Sequence, residues 1–176
     1  MLGSEEQARK RGGKLVQVAG CAIATGQFGD PAVRIPAVSM GSGIATPHTS
    51  EVVGAVRSAL AMAGMGPSDI NLLEMADNTA WHLLAWPEFF GFYAPGQGDW
   101  MLQHGELGID GKLPLNPSGG FLSFGEATTA QGVLQVCELT WQLRGQATGH
   151  QVAGARVGMS AVLGLGANGA SVILKS

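Results

Sequence analysis

The feature that most constrains this chain is a long run almost free of charge. Between Glu126 and Arg144 the only charged residue is Glu138. The run predicts a long helix over 127–143. A helix that is apolar nearly all round is buried on more than one side. Composition argues that much of the exterior is covered by something else. Only 13% of the 176 residues are charged and 45% are hydrophobic, whereas soluble domains carry roughly 25% charged residues. So few charges predict an oligomer or a missing partner chain.

The length fits a single domain over 1–176, with a core over 14–176, an N-terminal helix within 1–13, and loops at 26–48 and 92–112. The net charge of −3 leaves no electrostatic footprint for nucleic acid. Arg9, Lys10, Arg11 and Lys14 complement the dipole at the end of the first helix; a coenzyme A phosphate contact is the competing role. Cys21 and Cys137 lie in apolar segments and predict small core residues rather than a nucleophile or a bridge. The four histidines show no metal-ligand spacing, so no metal site is expected. No run reaches the roughly 18 apolar residues of a membrane span, and charges near the start oppose a signal peptide. The expectation is a reduced, cytoplasmic protein.

Ser4 caps a helix to Arg11. Lys14–Thr25 has the β-branched, apolar character of a strand, and the Gly-, Pro- and Ser-rich stretch to Pro47 predicts a loop. Thr49 or Ser50 caps a helix in which Val52, Val53, Val56, Ala59, Leu60 and Ala63 recur at helical spacing. Ile70–Met75 predicts a strand. Asn78 or Thr79 caps a helix that Pro87 should kink or shorten before Gly91. Leu113–Leu115 predicts a short strand before the turn Asn116–Gly120. Arg156–Leu163 and Ala170–Leu174 predict two closing strands around the turn Gly164–Gly169. That turn matches GxGxxG, but a strand follows it instead of a helix, which excludes a dinucleotide site. The order β-α-β-α-β-α-β-β implies an α/β fold: a five-stranded mixed sheet with helices on both faces.

Several stretches carry a resemblance. LPLNPSGGFLSFGEATTAQG (113–132), VLQVCELTWQLRG (133–145), QVAGARVGMSAVLGLGANGASVIL (151–174) and GMGPSDINLLEMADN (64–78) stand in an order that resembles the C-terminal half of thiolase-superfamily proteins of the sterol-carrier/lipid-transfer type. The resemblance implies a half-fold whose central helix lies between two sheets, the second belonging to an N-terminal half. That half supplies the family's nucleophilic cysteine.

The chain departs from the family at its chemical positions. Ala76-Asp77-Asn78-Thr79 stands where the family has HDCF, Gly125-Glu126-Ala127 where it has the GHP histidine, and Ala161-Val162 where it often has HN. An alanine donates no side-chain hydrogen bond, and an asparagine exchanges no proton near neutral pH. The expected catalytic residues are Glu126, Asp77 and Asn78. Glu126 is either a general base facing the pocket or a helix-start carboxylate held by the dipole. Asp77 and Asn78 follow a strand, where open sheets present functional groups, or they cap the next helix. Asn116, Ser118, Gly119, Gly120, His82 and Tyr93 are the expected substrate-binding residues. The tight glycine turn, a satisfied histidine and a core tyrosine are the respective structural alternatives. The aromatic residues from Trp81 to Tyr93 line either a ligand channel or the core.

The resemblance implies a thiolase-like subunit acting on coenzyme A thioesters in lipid or sterol metabolism. It would make or break a carbon–carbon bond as an acyltransferase or retro-aldolase, with no covalently bound cofactor. Retro-aldolase relatives carry tyrosines where this chain has Ala76 and Glu126. They also pair with a small OB-fold/zinc-ribbon protein. A separate N-terminal-half chain, a homo-oligomer or such a small protein are thus the expected partners. The alternative is a non-catalytic module that binds lipid or acyl-CoA, or acts as a scaffold.

Overall fold

A computed structural model describes residues 2–26, 50–128, 130–164 and 168–176. Nearly all of the loop expected at 26–48, and His48, lie outside the described residues. The elements in order are α1 (Glu5–Arg11), β1 (Gln17–Thr25), α2 (Glu51–Ala63), β2 (Leu72–Met75), α3 (Ala80–Phe90), α4 (Gly98–Gln103), α5 (Gly120–Phe124), α6 (Gln131–Arg144), β3 (Val157–Gly164) and β4 (Asn168–Lys175). The short helix α4 interrupts the stretch expected to be irregular over 92–112.

The helix starts follow the capping chemistry. Ser4 accepts from Gln7 N, and Gln7 returns a bond to Ser4 N, forming a capping box. Ser50 accepts from Val53 N and Thr79 from His82 N. Pro87 does not end α3, which runs on to Phe90 and stops at left-handed Gly91.

The sheet has four strands in the order β1-β4-β3-β2, with β2 parallel to β3 and the other pairs antiparallel. The α/β mixed sheet is as expected, but the fifth strand is not formed. Leu113–Leu115 instead makes one parallel bridge, Leu115 to Leu73, through Leu73 N to Pro114 O and Asn116 N to Leu73 O. Pro114 has no N–H to extend a ladder, and Asn116 leaves the extended region with φ 44.

The period-2 alternation of the strands sorts two cores. Leu73, Met75, Met159, Ala161 and Ile173 face α2 and α3, packing with Val52, Val53, Val56, Trp86 and Phe90. Leu72 and Leu174 face the other way, onto Leu139 and Leu143 of α6. Helices therefore cover both faces. Gly158 lets α6 approach, since a Cβ there would lie 2.7 Å from a Leu139 methyl.

Two expectations change, the start of the central helix and the burial of Cys21. The central helix starts at Gln131 rather than near Ala127, because the chain first turns, with Ala130 N bonding to Ala127 O. It is covered by the sheet on one side only. Val133, Leu134 and Trp141 stand 66%, 42% and 49% exposed. Cys21 is exposed rather than in the core, and Cys137 is half-buried. Cys21 lies on β1, an edge strand of the sheet.

Candidate functional site

The ends of β2 and α5 and the turn before α5 meet at one place. Asn116 locks that turn to the strand. Its side-chain oxygen accepts from Met75 N at 2.7 Å and its amide donates to Met75 O at 3.1 Å. A buried carboxamide thus replaces a strand partner, and the turn occupies a left-handed conformation that asparagine tolerates. Asp77, buried at the strand end, accepts from Phe121 N at 2.8 Å and so holds the start of α5. Gly120 has φ 62, and any Cβ there would strike the Asp77 carboxylate and the Asn116 amide. Only glycine fits.

Ser118 is anchored to a residue that sequence reasoning missed. Its backbone N–H and its hydroxyl donate to the two oxygens of Glu74, at 3.0 and 2.8 Å. Glu74 lies on the α6-facing side of β2 and is buried. Burial pushes its pKa from 4.5 up to about 7. The neighbouring carboxylates of Glu138 and Asp77 add to the rise, against the lowering effect of the Ser118 bonds.

Asn78 and Glu126 meet in the open. The Asn78 amide donates to Glu126 Oε1 at 3.1 Å, and both residues are exposed. Glu126 sits in the loop before α6, five residues ahead of Gln131, so it is not a first-turn residue of that helix. Asp77 and Asn116, by contrast, are buried, Asp77 accepting through Oδ1 from a backbone N–H and Asn116 bonding the backbone of Met75.

His82 lies apart from that pair as a buried ring. Its Nδ1 is 3.0 Å from Thr79 Oγ1, and its face stacks on Trp86 at 5.7 Å. Burial lowers its pKa, which favours the neutral ring. Tyr93 is buried and donates to Leu84 O. Burial raises its pKa, with Glu88 adding to the effect. Gly119 adopts the left-handed conformation before α5. Arg9 and Lys10 pair with Glu5 and Glu6 on the exposed face of α1.

A cavity of about 220 Å³ opens between α5 and α6. Phe124, Leu134 and Trp141 are partly exposed and form its rim. Glu74, Gln131, Gln135 and Glu138 are buried and form its floor. The floor residues of α6 were legible only as spacing: Gln131, Gln135 and Glu138 recur along one helical face. Among the described residues no group of three or more His, Cys, Asp or Glu converges as a metal site. No described helix is long and apolar enough to cross a membrane.

The family profile described as "Thiolase C-terminal domain-like" matches residues 32–176. The acetyl-CoA acetyltransferase of Methanothermobacter thermautotrophicus is 35% identical over 145 residues, covering 78% of this chain and 38% of its own. Sterol carrier protein 2 of Rattus norvegicus is 40% identical over 119 residues, covering 68% of this chain and 21% of its own. A solved structure titled "Ltp2-ChsH2(DUF35) aldolase" superposes with TM-score 0.77 at 26% identity, over 98% of this chain and 42% of that one. The chain thus spans well under half the length of each of these relatives.

Proposed function

Because the chain belongs to the thiolase C-terminal domain-like family, we propose that it is a subunit acting on acyl-CoA thioesters, completed by a chain that carries the other half of the fold. The reaction is cleavage or formation of the carbon–carbon bond beside the thioester, of acyltransferase or retro-aldolase type. The observation that carries this reading is the uncovered side of α6. There Val133, Leu134 and Trp141, with Leu122 and Phe124 of α5, present large apolar side chains to solvent. A contiguous apolar face of this kind marks an interaction surface. Longer relatives have chain enough for such a covering half, since the matched region is 38% of the acetyltransferase and 42% of the aldolase structure. A small OB-fold/zinc-ribbon protein is the second proposed partner.

In this reading Glu126 is the proton-accepting group, and Asn78 orients its carboxylate through the 3.1 Å hydrogen bond. A carboxylate can accept the proton released beside a thioester carbonyl. The names of two relatives, an acetyl-CoA acetyltransferase and a benzoylsuccinyl-CoA thiolase subunit, support a coenzyme A thioester as the substrate.

The test is co-expression with a thiolase first-half chain, isolation of the complex, and assay of acyl-CoA turnover. Turnover that falls at least about a hundredfold in Glu126→Gln, in the range of general base catalysis, supports the reading. Turnover that survives the change removes Glu126 from the chemistry. A complex that binds acyl-CoA yet never turns it over makes the chain a binding module instead.

A further inference from the structure

The sheet ends on one side in a strand whose outer edge is open to pairing. Among the described strands β1 bonds to β4 alone, and an antiparallel strand turns alternate residues toward each side. Cys21 belongs to the outward set, because its N–H donates not to β4 but to Sδ of Met62 at 3.4 Å. The pairing with β4 is regular from Gly20 to Thr25, so Ile23 and Thr25 turn their N–H and C=O outward as well. A thioether is a weak acceptor, and Met62 is itself exposed. Soluble proteins blunt such edges with charges, proline or bulges. The strand Gln17–Thr25 has no charge and no proline, and its one bulge lies between Val18 and Gly20, before the open stretch. Ile23, 78% exposed, is the most exposed large apolar side chain of the sheet.

We propose that this edge is a self-association surface, where β1 of a second copy pairs antiparallel and extends the sheet. The outward residues fix the register. Cys21, Ile23 and Thr25 are symmetric about Ile23, so a two-fold axis there sets Ile23 opposite its own copy and Cys21 opposite the partner's Thr25. Every outward N–H and C=O from 21 to 25 then meets a partner. The same register sets the two exposed isoleucines side by side on one face, a β-branched cross-strand pair that buries what each copy leaves in water. A copy of this strand therefore matches both the hydrogen-bond spacing and the apolar side chain at its centre. An isologous contact of this kind closes at two copies, and β2, at the other end of the sheet, is bridged by Leu115. A chain with only 13% charged residues gains cover for apolar surface in the pairing. The contact lies in the plane of the sheet, apart from the exposed side of α6, and the inference does not rest on the thioester reading.

The test is sedimentation of the intact chain from micromolar to near-millimolar concentration, since a contact this short gives a concentration-dependent dimer. The expected result is a reversible monomer–dimer equilibrium that Ile23→Pro weakens at least about tenfold, as loss of one good hydrogen bond implies. Proline is chosen because the Ile23 N–H points away from β4, where an edge strand tolerates it. Ile23→Lys, the edge charge that β1 lacks, is the second variant should Ile23→Pro fail to fold. Trp141→Glu, on the uncovered side of α6, should leave the dimer as it is. Oxidative crosslinking reads the register. Ile23→Cys in a Cys21→Ser background should form an intermolecular disulfide, since directly opposed residues stand about 5.5 Å apart between Cα atoms. Wild-type Cys21 faces the partner's Thr25, well along the strand from the partner's Cys21, and should not. A monomer at every concentration, a dimer unmoved by a folded Ile23 variant, a dimer that Trp141→Glu dissolves, or equal crosslinking through Cys21 overturns the proposal.

Discussion

Glu74 takes both hydrogen bonds that Ser118 can offer, from its N–H at 3.0 Å and its hydroxyl at 2.8 Å. A buried carboxyl beneath α6 therefore tethers the turn that carries the expected substrate-binding residues. The stability of that tether depends on which form the carboxyl takes.

The pKa of Glu74 rises from 4.5 to about 7 on folding, chiefly through burial. The folded state then binds more protons than the unfolded state between those values, and stability falls as pH rises through that window. It is highest at and below pH 4.5 as far as this group is concerned, and the loss is complete above pH 7. The shift corresponds to about 3 kcal/mol. Urea unfolding at pH 5, 6, 7 and 8 should show this decline, and Glu74→Gln should flatten it. A wild-type profile that rises over the same range would refute the assignment.

Gly120→Ala should destabilise the chain by about 2 kcal/mol or more, the scale of strain plus overpacking at a left-handed position. A Cβ there meets the Asp77 carboxylate and the Asn116 amide, and both hold the start of α5. Thermal unfolding checks it. Gly64→Ala is the matched control: its φ is 65, in the left-handed region, but nothing lies within 4 Å of the added carbon. It carries the backbone strain alone and should cost less.

Asn78→Ala and Glu126→Gln should each change stability by less than about 0.5 kcal/mol, because exposed polar pairs contribute little. Both residues are exposed. Denaturant midpoints within error of wild type, together with lost turnover in the assembled complex, would separate a functional role from a structural one.

Trp141→Glu should leave the fold intact, since the residue stands 49% exposed on the uncovered side of α6. The same change should abolish assembly with a first-half chain, because a carboxylate desolvated in an apolar interface costs several kcal/mol. Circular dichroism and analytical ultracentrifugation read the two effects. Assembly that persists would move the docking face elsewhere.

Local chemistry made much of this protein legible from its residues. Ser4, Ser50 and Thr79 announce the helix starts, because a cap is a bond between neighbours in the chain. The apolar periodicity of Val52 to Leu60 and the short β-branched runs yield an α/β alternation. The charge-poor run ending at Arg144 points to a helix that wants cover on two sides. Other features needed coordinates. Leu113–Leu115 reads as a strand, yet proline and the turn of Asn116 hold it to a single bridge. The helix expected from Ala127 begins at Gln131. Asp77 and Asn116, expected at a catalytic and a substrate-binding position or in a cap and a turn, are engaged by backbone partners. Glu74 looks like one more surface glutamate. Only the stacking of α6 over β2 removes it from water and sets it beside Glu138, and desolvation depends on what packs around a group, which no neighbour in sequence records.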